Sequence, residues 1–387
     1  MKVLLVHNIL WSHYKAAVFQ ALDRLAKGHP EMVVHVLQIG RNERSRADWE
    51  RDDTNAPIYT YSYELLFDRF VEDIPLRARA TTLLSRMRRF RPDVLCLTGY
   101  YDPAQLLLLA YARLTGVRVV MQMESTAADQ TRSRAKEWLK RTILKQCAGF
   151  FCFGSPQANY LMQLGVAPDR ILLQKSAVDN QALEDAYKRA VTSRELAQQQ
   201  QGLPRQNFIF VGRLIEPKNL PQLLVCFANA LEQIPNADWG LIVLGSGPQE
   251  ADLARLARKL ALDDRVFFRP ATHWYRVPEW LAMADVLVLP SSSEPWGLVV
   301  NEAMVCGMPV LVSDRCGCVP DLVRDGQNGY SYDPTQPQQL TNRLLDFMTG
   351  RADQAAMGQR SRELIAPYAP EAVAEEMLRG FDQLANE

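Results

Sequence analysis

At 387 residues the chain exceeds what one hydrophobic core ordinarily fills, so two domains are expected. Its 48% apolar and 23% charged content is that of a globular protein, and 44 Lys/Arg against 44 Asp/Glu leaves no bulk charge for holding nucleic acid. No apolar run approaches the ~20 residues of a membrane span, and Met1-Lys2 followed by four apolar residues reads as a first strand, not a secretory leader.

Residues 1–180 hold 25 Lys/Arg against 18 Asp/Glu, so the first half carries the basic face. Val3–Val6 is a short buried strand, and the segment through Ile9, Ser12, His13, Tyr14 and Lys15 is a loop leading into a helix over Ala16–Ala26. Met32–Leu37 is a second strand, and Arg41–Asp53 is charged and aperiodic, hence a loop. An arginine-dense helix over 76–90 (Arg77, Arg79, Arg86, Arg88, Arg89) ends at Arg91-Pro92-Asp93. Strands at Val94–Leu97, Arg118–Met123, Gly149–Phe153 and Ile171–Leu173 alternate with helices at Pro103–Leu114, about 132–146 and Gln157–Leu164. Such alternation predicts a parallel sheet covered on both faces.

Residues 181–207 turn polar and end at Pro204, which reads as a helix and then an interdomain linker. The pattern restarts with strands at Phe208–Val211, Gly240–Leu244, Val266–Phe268, Val286–Leu289 and Pro309–Ser313. Helices fall at Leu220–Gln233, Pro248–Ala261, Val277–Met283 and Leu298–Met304, then near 336–349 and 353–366. Pro367-Tyr368-Ala369-Pro370 precedes a last amphipathic helix over Glu371–Leu384. The expected organisation is an N-terminal Rossmann-like domain (1–180 plus 370–387), a linker region (181–207) and a C-terminal Rossmann-like domain (208–366) facing it across a cleft.

Two stretches carry chemistry. Val211-Gly212-Arg213-Leu214 ends a strand and Glu216-Pro217-Lys218-Asn219 precedes its helix, which sets Arg213 and Lys218 at the ligand-binding edge of an α/β sheet. Two cations beside a helix N-terminus suit a diphosphate. Ser291–Pro309 runs from a strand through Glu294 and a Pro295-Trp296-Gly297 turn into a helix bearing Glu302. The two acids read either as solvated first-turn carboxylates or as acceptors for sugar hydroxyls beside a bound phosphate. Gly245-Ser246-Gly247-Pro248 fails as a dinucleotide fingerprint and reads as a tight turn. Cys316-Gly317-Cys318 lacks a second zinc pair, and the seven cysteines read as reduced core thiols. With no Asp-x-Asp, no metal ligand set is expected.

The Gly212-Arg213 turn with Lys218, the 245–248 turn, Asp285–Pro290, the run from Glu294 through Glu302 to Pro309, and Asn328-Gly329 occur together. Together they resemble glycosyltransferase family 4, retaining enzymes of GT-B architecture. The likeness is continuous from about 205 to 335, looser from 90 to 180, and confined to the βα pattern before about 75.

The resemblance implies hexose transfer from a nucleotide-diphosphate sugar to a saccharide or lipid-linked glycan, of the kind used in polysaccharide biosynthesis, without metal or other cofactor. It implies that Arg213 and Lys218 bind the donor diphosphate, Glu294 the transferred sugar and Glu302 the ribose. The amides of Gly297, Leu298 and Val299 would face sugar and phosphate, and the loop with Pro270 and Ala271 the base. Where relatives carry a histidine after the strand Arg118–Met123, this chain has Glu124, followed by Ser125, Thr126 and Asp129. Glu124 could contact the sugar, position the acceptor, act as base or merely cap a helix. A Gly-Gly turn common after the first strand is replaced by Asn8 to Tyr14, lining the acceptor side, with His13 a candidate contact.

The basic helices Arg77–Arg91 and Arg132–Lys145 read either as solvated faces or as attachment to anionic lipid at the inner face of the membrane by an otherwise cytoplasmic protein. The alternatives to transfer are a nucleotide-sugar epimerase or phosphorylase, or a non-catalytic nucleotide-sugar or glycan-binding protein.

Overall fold

Two parallel sheets organise the chain, one in each of two units. The computed structural model describes residues 1–10, 12–29, 31–44, 59–126 and 134–386. One unit comprises Met1–Asp179 with Tyr368–Glu387, the other Asn180–Pro367. Asp129 and Arg132 lie outside the described residues, as does most of the loop expected over 41–53.

The first unit runs β1 (Lys2–Ile9), α1 (His13–Lys27), β2 (Val33–Gly40), β3 (Tyr63–Leu65), α2 (Leu76–Phe90), β4 (Val94–Thr98), α3 (Pro103–Leu114), β5 (Arg118–Met123), α4 (Arg134–Leu144), β6 (Gly149–Cys152), α5 (Ser155–Gln163) and β7 (Ile171–Gln174). Its strands lie in the order β3-β2-β1-β4-β5-β6-β7, all parallel. Val3, Leu4, Leu5 and Val6 are buried on both faces, which is why β1 reads as an unbroken apolar run and not an alternating one. β1 pairs with both β2 and β4, so the order of strands reverses between β1 and β4. Ligands of such sheets bind outside the carboxyl ends of the strands at that reversal.

Helix α1 begins at His13, three residues before the expected start, because the Ser12 carbonyl already accepts from the Ala16 amide at 2.9 Å. Strand β3 escapes sequence reading because it has only three residues, held at the sheet edge by Val36, Leu37 and Gln38. The C-terminal helix Pro370–Asn386 belongs to this unit. Its buried stripe of Val373, Ala374, Met377, Leu378, Phe381 and Leu384 packs on the face of the sheet that α1 also covers. Phe381 meets Phe151 edge-on with centroids 5.3 Å apart, and Lys175–Glu376 and Arg24–Glu371 ion pairs, each 2.6 Å, flank the stripe.

The second unit opens with α6 (Asn180–Val191) and α7 (Arg194–Gln201), then β8 (Gln206–Val211), α8 (Leu220–Gln233), β9 (Trp239–Leu244), α9 (Glu250–Lys259), β10 (Val266–Arg269), α10 (Val277–Leu281), β11 (Val286–Leu289), α11 (Leu298–Val305), β12 (Val310–Ser313), α12 (Val319–Leu322), β13 (Gly329–Tyr332), α13 (Pro337–Met348) and α14 (Gln354–Ile365). The strand order is β10-β9-β8-β11-β12-β13, again all parallel, with its reversal between β8 and β11. The stretch read as helix and linker is here two helices fastened to this unit. Arg194 pairs with Asp285 at 2.7 Å, and Gln198 donates to the carbonyls of Met283 and Arg205. Polar composition marked a surface helix pair, not a free connection.

Candidate active site

The expected site residues of the second unit converge on the reversal of its sheet. β8 delivers Gly212 and Arg213, and the adjacent β11 delivers Ser291 to Glu294. The two strand ends are tied directly, the Ser292 amide donating to the Pro217 carbonyl at 2.8 Å. Gly212 has φ +154°, and the 245–248 turn lies on it: a Cβ at Gly245 would stand 1.8 Å from the Gly212 carbonyl oxygen. A Cβ at Gly247 would likewise stand 2.5 Å from the Leu214 carbonyl oxygen. Those glycines therefore serve backbone packing, as the sequence reading of a tight turn expects.

The Arg213 side chain is exposed and makes no hydrogen bond or ion pair with the described residues. Lys218 closes a single 3₁₀ turn and contacts the Glu294 carboxylate, with the two side chains 17% and 16% exposed. The structure thus joins two residues expected to hold different parts of a ligand.

Beyond Glu294 the chain turns at Gly297, φ +98°, where a Cβ would come within 2.8 Å of Leu289. Trp296 is buried and donates from Nε1 to Asn301 Oδ1 at 2.9 Å, pinning the turn to α11. The amides of Gly297, Leu298 and Val299 have no acceptor among the described residues, as the orphan donors of a first helical turn do not. Glu302 lies further along α11, is buried, and makes no side-chain hydrogen bond among the described residues. Burial pushes its carboxyl up to about 8. Pro270 and Ala271 are exposed at the end of β10. The Ala271 amide donates to Ser246 Oγ at 3.1 Å and the Gly245 amide to the Arg269 carbonyl at 2.9 Å. One continuous edge therefore runs from Ala271 through Ser246 and Gly212 to Glu294.

Glu124 belongs to the first unit, at the end of β5. Its carboxylate pairs with Lys15 at 3.2 Å. Lys15 is buried, donates to Gln122 Oε1 at 2.8 Å and lies 4.4 Å over the Phe153 ring. Burial first, then the Lys15 charge, pushes the neighbouring His7 imidazole down to about 4. Its Nδ1 faces the Ile9 carbonyl at 2.9 Å and Gln38 Oε1 at 3.1 Å, so Nδ1 carries the proton.

The loop expected through Lys15 hides its contact with Glu124, since Lys15 lies within α1. The signal was there: Lys15, Val18, Phe19 and Leu22 fall on one helix face, and all are buried. His13 lies in the first turn of α1 against Tyr14, ring centroids 5.8 Å apart. Among the described residues no three His, Cys, Asp or Glu side chains are grouped to hold a metal ion.

Comparison with known proteins follows the same division. The family model described as "Glycosyl transferases group 1" matches residues 192–364, and that of a "Glycosyl transferase 4-like domain" matches 14–173. The N-acetyl-alpha-D-glucosaminyl L-malate synthase of Bacillus anthracis is 28% identical over 157 residues, 41% of this chain and 40% of that protein. The D-inositol 3-phosphate glycosyltransferase of Streptomyces avermitilis is 34% identical over 181 residues, 44% of this chain and 39% of that one. The matches thus span about 40% of the length of these curated relatives. Anabaena HepE, solved in complex with UDP and glucose, shares the fold with a TM-score of 0.74 at 14% identity, over 99% of this chain and 100% of that one.

Proposed function

This chain belongs to glycosyltransferase family 4 and has the GT-B fold, and from that premise we propose that it moves a sugar from a nucleotide-diphosphate sugar to a hydroxyl of a saccharide or lipid-linked glycan. The observation that carries the reading is the gathering of Arg213, Lys218, Glu294 and three unpartnered amides at one strand-order reversal. Positive groups gathered in this way stabilise the charge that builds on a diphosphate as its bond to the sugar breaks. Glu294 holds hydroxyls of the transferred sugar, Glu302 those of the ribose, and the Pro270-Ala271 loop meets the base. A fold neighbour solved with UDP and glucose is in keeping with such a donor.

Transfer proceeds with retention and without metal. A donor phosphate oxygen takes the acceptor proton on the front face, and the two cations supply the charge a divalent ion would otherwise bring. The test is incubation with a panel of nucleotide sugars and saccharide acceptors, followed by NMR of the anomeric proton with and without EDTA. Retained configuration and EDTA-insensitive release of nucleoside diphosphate are expected. An inverted product or an EDTA-dependent rate contradicts the mechanism. An isomerised sugar without acceptor would indicate an epimerase, and donor binding with no turnover a binding protein.

Attachment at the inner face of a membrane, where a lipid-linked acceptor would lie, is better supported for α4 than for α2. Arg79 and Arg86 of α2 pair with Asp102 at 3.2 Å and Glu64 at 2.7 Å, and Arg88 lies 5.1 Å over the Tyr111 ring. On α4, Trp138 and Leu139 are 69% and 54% exposed, near exposed Lys136, Arg141 and Lys145. Apolar and cationic groups side by side suit an anionic lipid surface. No helix among the described residues is long and apolar enough to cross a membrane.

A further inference from the structure

Resting on the transferase reading above, we propose that the carboxyl edge of the first sheet binds a neutral sugar ring, with Tyr101 as its platform and Glu124 as acceptor of its hydroxyl hydrogens. β1, β4 and β5 are consecutive in that sheet, so the ends of β4 and β5 stand side by side next to the strand-order reversal. Gly99, at φ +75°, turns the chain as it leaves β4. The turn sends Tyr100 inward, 7% exposed, and leaves Tyr101 outward at 60%.

Tyr101 is nonetheless held in place. Its hydroxyl lies 3.1 Å from Ser125 Oγ, in the loop that carries Glu124, and its ring lies 4.7 Å from that of Tyr100. Tyr100 is itself backed by Lys140, 5.9 Å over its ring, and Lys140 donates to the Tyr160 hydroxyl at 2.9 Å. A fixed aromatic face turned to water at a ligand-binding edge suits the C–H face of a pyranose, which is flat and apolar on one side.

The charges select against an ionic ligand. Glu124 has a side chain 40% exposed, while Lys15, which pairs with its carboxylate, is buried beneath it. The ammonium is thus spent inward, on Glu124 and Gln122, and the carboxylate faces out. A carboxylate in that position accepts hydrogens from hydroxyls and repels phosphates and carboxylates. Lys15 is a positioning residue here: it orients Glu124 without reaching the ligand.

The test is saturation-transfer NMR on the full chain with methyl α-glucopyranoside, methyl α-galactopyranoside and methyl α-mannopyranoside, against glucose 6-phosphate and glucuronate. At least one neutral glycoside should bind about tenfold more tightly than both anions. Tyr101→Ala should weaken that binding by about tenfold, while Tyr101→Phe keeps most of it. Anions binding as tightly as the neutral sugars, absence of any neutral sugar signal, or a Tyr101→Ala protein with unchanged affinity would overturn the proposal. The wild-type panel alone decides the charge preference should Tyr101→Ala fail to fold. Because binding is read without turnover, failure here is separate from failure of donor transfer.

Discussion

Lys218 and Glu294, 76 positions apart in sequence, form an ion pair that spans two adjacent strand ends of the second unit. Both side chains are about one-sixth exposed, so each depends on the other for its charge, whereas the Arg213 guanidinium stands in solvent. Removing one member of such a pair leaves an uncompensated charge, a cost of about 3–5 kcal/mol when fully buried and less here.

Stability and turnover should therefore separate. Arg213→Ala and Lys218→Ala should each lower turnover about 10²-fold or more. Arg213→Ala should leave the melting temperature nearly unchanged, since it removes no contact. Lys218→Ala should lower it, and the Lys218→Ala/Glu294→Ala double variant should recover part of the loss. Equal melting losses for Arg213→Ala and Lys218→Ala would contradict this division of roles.

Glu302 gives a pH signature. The folded protein keeps its proton up to about 8, whereas an unfolded glutamate releases it near 4.5. Between those values the folded state holds the extra proton, so stability falls as pH rises. Glu302→Gln removes that penalty. It should raise the melting temperature at pH 7.5, by a stabilisation on the order of 1–3 kcal/mol, and have little effect at pH 4.5. A gain of the same size at both pH values would show that Glu302 does not titrate this way.

His7 works in the opposite sense. Its imidazole is pushed down to about 4, so below 6.5 the unfolded chain takes up a proton that the folded one refuses. The stability it contributes is complete above pH 6.5 and is lost as pH falls toward 4. His7→Asn, whose amide can donate as Nδ1 does, should flatten that part of the acid limb in denaturant titrations. Parallel acid limbs for the two proteins would show that His7 does not titrate in this way.

Much of the second unit's candidate site was legible because its residues lie in contiguous runs: Gly212 to Lys218 on one strand end, Glu294 to Glu302 on the next. What the runs do not contain is their contact. That Lys218 meets Glu294 follows from β8 and β11 being neighbours, which is a property of strand order and not of local spacing. The first unit was harder. Its proposed site residues Lys15, Tyr101 and Glu124 come from three separate segments, and Lys15 resembles a loop lysine until α1 is known to begin at His13. Short strands, β3 as Tyr63-Glu64-Leu65 and β13 over Gly329–Tyr332, are too brief to show an alternating pattern and are held by a paired neighbour.

Helix α4 makes the membrane proposal concrete. Co-sedimentation with vesicles containing 30% phosphatidylglycerol should retain the wild-type protein and lose it in high salt. Trp138→Ser with Leu139→Ser should abolish retention without altering the melting temperature, since both side chains are exposed. Retention of that variant, or equal retention on neutral phosphatidylcholine vesicles, would contradict attachment through this face.

On the proposed function the second unit holds a nucleoside diphosphate through Arg213 and Lys218. A thermal-shift panel of UDP, GDP, ADP and CDP, each with its glucose conjugate, on wild-type protein and on Arg213→Ala tests this. A ligand at a hundred times its Kd adds about 2.7 kcal/mol, and each 1 kcal/mol moves a domain of this size by about 2–4 °C. A rise of several degrees is expected for at least one diphosphate with wild-type protein, largely lost in Arg213→Ala. No shift with any of the eight compounds, or the same shift in both proteins, would contradict it.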